Sequence, residues 1–116
     1  MTKLKLEDEK YWEKLINQSL VRFLLLKALR TKEYYGYALA RVIAQYSEGL
    51  STPTQSTLYP ALGTLLKGGY IKVKNQTVQG RERKIYYITE KGKEAFRIAA
   101  RVWSKLIPLL KKASIL

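Results

Sequence analysis

Apolar residues recur every three or four positions along the first third of the chain, which is the spacing of one helix face. The face is wide and ends just before Thr31, so the pattern predicts a long central helix, extended at its start by the polar residues 5–14. A second helix is predicted to begin near Gly36 and to end at Gly49, a residue type that commonly follows a helix C-terminus. The apolar positions are Leu15, Ile16, Leu20, Phe23, Leu24, Ala28 and Leu29 in the first helix and Leu39, Val42, Ile43 and Tyr46 in the second.

A third helix has a polar start and an apolar remainder. Thr52 and Gln55 form a T-x-x-Q capping box with Pro53 in the first helical position, and Thr54 is an equally good N-cap. Pro60 lies near the start, so a bend is expected rather than a break. Leucines at helical spacing form a buried stripe, and a Gly-Gly pair ends the helix. The stripe is Leu58, Leu62, Leu65 and Leu66, whereas Thr57, Tyr59, Gly63 and Thr64 lie off it.

Two short alternating segments, residues 71–74 and 85–88, predict two strands. The polar and basic residues 75–83 between them are predicted to form a loop that turns at Gly80. Thr89 then caps a last helix, which Pro108 should kink or end. This helix carries a broad apolar face that consists of Ala95, Phe96, Ala99, Val102, Trp103, Leu106 and Leu110.

The element order predicts a mainly α protein with a small β-hairpin, namely a winged helix-turn-helix with three helices, a two-stranded wing and a C-terminal helix. Residues 1–88 are expected to form the DNA-binding domain with an N-terminal helical extension. Residues 89–116 are expected to form a dimerisation helix within the same compact unit. With 116 residues, the chain fits one domain.

The composition narrows the chemistry. The chain has no Cys and no His, so the commonest general base, thiol nucleophile and soft metal ligands are missing. We therefore expect neither an enzyme, nor a metal site, nor a cofactor. Apolar residues make up 47% of the chain, but no apolar run is long enough to span a bilayer and the charged N-terminus does not fit a signal peptide. A cytoplasmic protein without a membrane partner is expected.

Positive charge is concentrated in the second half of the chain. Lys and Arg number 22 against nine acids, which gives a net charge of +13, and residues 51–116 hold 13 of these bases with only three acids. Such a field attracts polyanions, above all nucleic acid.

The start of the third helix carries small hydrogen-bonding side chains where a helix-turn-helix meets the major groove. Gln pairs with adenine, and Ser or Thr reach bases or phosphates. A well-capped helix start explains one or two of these residues, but not the whole run. Tyr59 stands one position off the leucine stripe, where it either binds a phosphate or borders the core. The candidate DNA-binding residues here are Thr54, Gln55, Ser56, Thr57 and Tyr59.

The predicted hairpin is the second candidate DNA-binding element. It holds Arg81, Arg83 and Lys84 around the single acid Glu82, and Lys72 and Lys74 precede it. Runs of charged residues usually form a solvent-exposed hairpin without a binding role. Here the position of the hairpin beside the third helix favours contact with the DNA backbone or minor groove.

The motif S-T-L-Y-P-A-L-G-T-L-L-K-G-G-Y-I, followed by G-R-E-R-K-I-Y-Y-I-T-E-K-G-K-E-A-F, resembles PadR-like winged helix-turn-helix transcriptional regulators. The resemblance covers roughly residues 20–103. It implies a homodimer that binds an inverted-repeat operator and usually represses, with Thr54 as the N-cap of the third helix. The upstream Y-Y-G-Y-A-L-A-R-V-I adds Tyr37 to the candidate DNA-binding residues. Departures include Tyr35, where a His is common, and Gly63 and Leu66, where Arg or Glu are usual.

The last helix also predicts a dimer on physical grounds, because it is apolar over more than one face and a small domain buries only one of them. Its heptad-like positions are the candidate interface. Trp103, together with Phe96, is either a core aromatic, the favoured interpretation, or a platform on which a small aromatic effector stacks. The candidate interface residues are Phe96, Ala99, Trp103, Leu106 and Leu110.

Three functions compete. The favoured one is a sequence-specific transcriptional regulator, most often a repressor, that binds double-stranded DNA. The alternative is a non-specific architectural DNA-binding protein, which the high charge also supports. The third is an adaptor whose basic wing meets an acidic protein. The sequence alone leaves the operator and the target genes open.

Overall fold

The computed structural model describes residues 5–115, which form four α-helices and one three-stranded antiparallel sheet. The strand order is β1-β3-β2. The winged helix-turn-helix fold predicted from the sequence is confirmed. The elements are α1 (Glu9–Thr31), β1 (Tyr34–Tyr35), a 3₁₀ turn (Gly36–Ala38), α2 (Leu39–Tyr46), α3 (Gln55–Lys67), β2 (Ile71–Val78), β3 (Arg81–Ile88) and α4 (Glu90–Ala113).

Helix α1 is the central element, as its wide apolar face predicts. It packs against α2, α3, α4 and β3, and Asp8 caps its start by accepting a hydrogen bond from the Lys10 amide at 3.0 Å. The face is buried only in its second half, because Leu15 and Ile16 are 43% and 42% exposed. The largest fully buried apolar side chains form the centre of the core, namely Val21, Leu25, Leu39, Ile43, Leu62 and Ile71.

The second helical segment begins at Gly36 as predicted, but its first turn is 3₁₀ rather than α and it ends earlier than predicted. It begins with a 3₁₀ turn at Gly36 and ends at Tyr46, three residues before Gly49. The reason is a tight turn in which Glu48 and Gly49 both have positive φ, 53° and 86°. Ser47 stabilises this turn, since its Oγ accepts a hydrogen bond from the Ser51 amide at 2.8 Å. The turn fixes the direction in which the chain enters α3.

Helix α3 begins after Thr54, so the capping box on Thr52 with Pro53 in the first helical position is wrong. Thr54 is extended, with ψ of 168°, and its carbonyl accepts the first helical hydrogen bond from the Leu58 amide at 2.8 Å. The predicted stripe is buried at three of its leucines, whereas Leu66 only borders the core. Pro60 is accommodated within the helix, which Gly68 and Gly69 end as predicted.

The hairpin is longer than predicted. Its strands continue through residues 75–78 and 81–83, which were expected to be loop, and only Gln79 and Gly80 form the turn. Both turn residues have positive φ, 51° and 76°, as a type I′ turn requires. We call this β2–β3 hairpin the wing. Strand β1 adds a third strand that the sequence analysis missed, with Tyr34 opposite Tyr86 and Tyr35 opposite Ile85.

Buried and exposed side chains alternate along the strands as predicted only at the base of the wing, next to the helices. Ile71 and Ile85 are buried as expected, but Val73 is 37% exposed and Tyr86 is buried. The reason is that the outer part of the wing extends beyond the helices, while the ring of Tyr86 packs beside Gly36, where an added Cβ would lie 3.0 Å from it. The wing is therefore a largely solvent-exposed arm anchored at one end.

Helix α4 starts as predicted and continues further than predicted. Thr89 caps it by accepting a hydrogen bond from the Gly92 amide at 3.1 Å. The same hydroxyl lies 2.7 Å and 3.0 Å from the carbonyls of Gly69 and Tyr70, which joins α4 to the end of α3. Pro108 does not end the helix, which runs to Ala113 along a solvent-exposed surface.

Candidate nucleic-acid interface

The start of α3 presents its small polar side chains to solvent. Thr54, Gln55 and Ser56 are exposed and Thr57 is half-buried. The Thr54 hydroxyl makes no hydrogen bond to a helix amide and instead lies 2.9 Å from the hydroxyl of Ser56 and 3.4 Å from that of Thr57. The cap interpretation therefore does not account for these side chains, whose remaining hydrogen-bonding capacity faces outward.

The backbone at this end of α3 also suits an anion. The first amides of a helix have no partner within the helix, and the helix dipole is positive there. The first turn of α3 contains no acidic residue. The arrangement favours a phosphate group near Gln55 and Ser56.

Helix α3 and the wing meet at one cleft of about 360 Å³. Tyr59, which is 52% exposed, borders it from α3, and Arg83 and Lys84 border it from the wing. The two predicted DNA-binding elements are thus close together at this point. The cleft is lined by Gly36, Tyr37, Tyr59, Glu82, Arg83, Lys84 and Tyr86.

The cations of the wing are available for a partner. Arg81, Arg83 and Lys84 are exposed, and within residues 5–115 none of them forms an ion pair with a carboxylate. Arg83 stacks over the ring of Tyr37 at 5.4 Å. Lys74 differs from them, because it pairs with Glu33 at 3.3 Å and covers the ring of Tyr87 at 5.3 Å.

Tyr86 contributes a protonated hydroxyl to the cleft. Burial, and to a lesser degree the neighbouring Tyr59, raises the pKa of the Tyr86 hydroxyl above its ordinary value. A phenol hydroxyl is already protonated at neutral pH, so the shift only extends towards higher pH the range over which the Tyr86 hydroxyl can donate a hydrogen bond. Tyr86 is not among the predicted DNA-binding residues, because its place in the alternating strand gives no sign of the cleft.

The predicted dimer residues on α4 divide into two groups. Phe96 stacks on Phe23 of α1 with ring centroids 5.3 Å apart, and Trp103 lies 6.1 Å from the same ring. Ala99 and Leu106 are half-buried, whereas Leu110 is 49% exposed. Further apolar side chains on α4 and α1 are also exposed, namely Ile98, Val102, Ile107 and Leu109, with Trp12, Leu15 and Ile16.

An apolar cavity of about 300 Å³ lies between α1 and α4. Phe23 and Trp103 are on its wall, with Ala95 and Ala99 beside them. Phe96, the second residue predicted to hold a ligand, is not part of this wall; its ring stacks on Phe23 and also lies near the cations of Lys27 and Arg30.

Among residues 5–115, no helix is both long and apolar enough to cross a membrane. Within the same range, no three His, Cys, Asp or Glu side chains are grouped so that they could hold a metal ion.

Comparison with known proteins gives a consistent set of relatives. The model of the transcriptional regulator PadR-like family matches residues 25–98. A transcriptional regulator from Clostridium thermocellum is 25% identical over 88% of this chain and 99% of that chain, with a TM-score of 0.77. A PadR family transcriptional regulator from Eggerthella lenta is 25% identical, covering 90% and 86%, with a TM-score of 0.74. The protein smu.1704 from Streptococcus mutans is 30% identical, covering 85% and 92%, with a TM-score of 0.68. No curated protein matches the chain.

Proposed function

Because the chain belongs to the PadR-like family of transcriptional regulators, we propose that it binds a specific inverted-repeat DNA site as a homodimer and represses transcription there. One observation carries this proposal: α3 and the wing border a common cleft through Tyr59, Arg83 and Lys84. A duplex that lies across this cleft contacts hydrogen-bonding groups of α3 and cations of the wing at the same time.

Each element has a distinct role in the proposal. Helix α3 enters the major groove, where Gln55 contacts base edges and Thr54, Ser56 and Thr57 contact bases or phosphates. The wing follows the backbone, with Arg81, Arg83 and Lys84 neutralising phosphates. Tyr37 and Tyr59 donate hydroxyl hydrogen bonds beside them. Lys74, held by Glu33, contributes mainly after that ion pair opens.

The experiment that tests the proposal is selection of bound sequences from a random duplex pool. A regulator enriches an inverted repeat and binds it at least about a thousandfold more tightly than random DNA at fixed salt. An architectural protein binds both equally, with the same steep dependence on salt. Equal affinity for the selected repeat and for random DNA would contradict the regulator and favour the architectural DNA-binding protein.

Gln55→Ala should reduce base preference rather than overall binding. A bidentate Gln–adenine pair discriminates by about 1–3 kcal/mol, so the ratio of specific to random affinity should fall about tenfold per half-site. Competition binding with the selected duplex and a random duplex measures this ratio. The control is Gln45→Ala, an exposed glutamine on α2. A parallel loss of affinity for both duplexes would assign Gln55 to phosphate binding instead.

The homodimer is proposed to form through α4, the main element of residues 89–116. The exposed apolar residues of α4 and of the first half of α1 supply the surface that a second copy covers. A two-fold dimer can then present two α3 helices to successive major grooves, about 34–36 Å apart.

Leu110→Asp should convert the dimer into a monomer. An aspartate at an apolar interface buries an unpaired charge, which costs several kcal/mol for each subunit. Sedimentation at micromolar protein measures the change. Ser104→Asp adds the same charge to α4 at an exposed polar position and should leave the dimer intact. A wild-type protein that sediments as a monomer would contradict the proposed dimer.

An effector at the α1–α4 cavity is the finer part of the proposal. The cavity is apolar and carries Trp103 on its wall, so a flat aromatic compound fits its chemistry. Titration with planar hydrophobic cations and phenolic acids, read by Trp fluorescence, distinguishes such a site from a plain core tryptophan.

A further inference from the structure

Two side-chain contacts link the short segment that carries β1 to the wing, and an aromatic stack within the segment connects them. The Tyr35 hydroxyl donates a hydrogen bond to Gln76 Oε1 at 2.9 Å. Its ring stacks on that of Tyr37, with centroids 5.6 Å apart and planes within 7° of parallel. The guanidinium of Arg83 lies over the other ring of this stack, 5.4 Å from the Tyr37 centroid. Tyr35 thus contacts β2 directly and reaches the Arg83 of β3 through Tyr37.

Strand register explains why these side chains meet. Tyr35 is opposite Ile85, and Gln76 is opposite Arg83. Residues directly opposite each other share a sheet face, as do residues two apart on one strand. Tyr35, Gln76 and Arg83 therefore lie on the same face of the sheet. The pairing of β1 with β3 sets the position of Tyr35, and the 3₁₀ turn after it brings Tyr37 over the wing.

The stack orients an otherwise mobile cation. An exposed arginine has a long flexible side chain and loses much rotamer freedom when it binds a partner. A flat ring beneath the guanidinium restricts it before binding. Arg83 borders the cleft shared with Tyr59, and also a second cleft of about 420 Å³ between Tyr35 and the wing tip. Its orientation therefore decides which of these clefts holds the charge.

We propose that Tyr35 is a positioning residue for DNA binding, which holds Tyr37 and the wing so that Arg83 is oriented for a backbone phosphate. This role rests on the proposed function. It assigns no DNA contact to Tyr35 itself, and it requires that the effect of Tyr35 pass through Arg83.

The test is a double-mutant cycle in DNA binding at fixed salt. Tyr35→Leu should weaken binding about fivefold, while Tyr35→Phe, which keeps the ring and loses only the hydrogen bond to Gln76, should stay within about twofold of wild type. In an Arg83→Ala background, Tyr35→Leu should have no further effect. The matched control is Tyr87→Leu, because Tyr87 lies on the same sheet face and stacks with Lys74 rather than Arg83. Any loss of affinity that it causes should be the same in the wild-type and Arg83→Ala backgrounds.

Amide hydrogen exchange in the free protein gives a second readout. Residues 76–83 should exchange faster in Tyr35→Leu than in Tyr35→Phe. An equal loss of affinity in both backgrounds would show general destabilisation and overturn the proposal, as would wild-type affinity in Tyr35→Leu. If the wild-type protein binds no duplex, both the proposed function and this role of Tyr35 are wrong. If the wild-type protein binds DNA but Tyr35 and Arg83 show no coupling, only this role of Tyr35 is wrong.

Discussion

Replacing Arg81, Arg83 and Lys84 together by alanine should weaken duplex binding at least about a hundredfold near 0.1 M salt. The three cations are exposed and form no ion pair within residues 5–115, so their charge is available to phosphates. Each lost phosphate contact also removes the release of about one counterion. The slope of log affinity against log salt should therefore fall by about three per bound subunit. Fluorescence anisotropy over a salt series measures both quantities.

A matched triple variant separates local contact from overall charge. Arg101, Lys105 and Lys112 are exposed on one polar stripe of α4, away from the wing. Their replacement by alanine removes the same net charge and should change affinity only a few fold. Equal losses in the two triple variants would mean that the wing acts through net charge alone. An unchanged affinity in the wing variant would mean that these three cations do not contact the duplex, and it would contradict the proposed role of the wing.

Gly92→Ala should destabilise the fold by about 3 kcal/mol, a large value for one added methyl group. The first turn of α4 passes so close to the end of α3 that a Cβ on Gly92 would lie 2.1 Å from the Tyr70 carbonyl oxygen and 2.7 Å from Ile88 Cγ1. The backbone would have to move, and the two hydrogen-bond contacts between the Thr89 hydroxyl and the carbonyls of Gly69 and Tyr70 would open with it. Urea denaturation measures the loss in the free energy of unfolding.

Gly63→Ala is the matched control, because Gly63 is an exposed helical glycine with no atom within 4 Å of an added Cβ. That change should stabilise the protein by about 0.5–1 kcal/mol through helix propensity. Wild-type stability in Gly92→Ala would mean that α4 is free to shift away from α3.

The helices were predictable because their signals are local. Thr89 stands directly before α4, and Gly68 and Gly69 directly after α3, so a cap or a stop can be read from neighbouring residues. The start of α3 was harder, since Thr52 and Thr54 both fit an N-cap. The extended backbone of Thr54 makes Thr54 the N-cap, and no sequence pattern distinguishes it from Thr52.

The sheet was less predictable because its signals are not local. Strand β1 has only two residues, Tyr34 and Tyr35, and exists through pairing with β3 some 50 positions later. The predicted strands of the wing are too short because the turn depends on a positive φ at Gln79. Sequence rules expect that conformation of Gly, Asn or Asp. Polar residues 75–78 then resemble a loop, although their backbone pairs along the whole length.

The candidate site was only partly predictable for the same reason. The residue types and their spacing in the sequence are enough to predict the polar start of α3 and the cations of the wing. The ion pair of Lys74 with Glu33 joins residues 41 positions apart, and the link from Tyr35 to Gln76 spans the same distance. Neither leaves a periodic pattern, so only the folded chain shows which cation is engaged and which tyrosine supports the wing.

The two-residue turn at Gln79 and Gly80 makes the wing an arm of adjustable length. Since side chains alternate between faces with a period of two, one extra residue in a single strand would exchange the faces of everything beyond it. Two extra residues in each strand would preserve both faces and lengthen the arm by about 7 Å, roughly the spacing of two successive phosphates along a DNA strand. The distance that the wing extends along a duplex can therefore change during evolution while the four helices keep their arrangement.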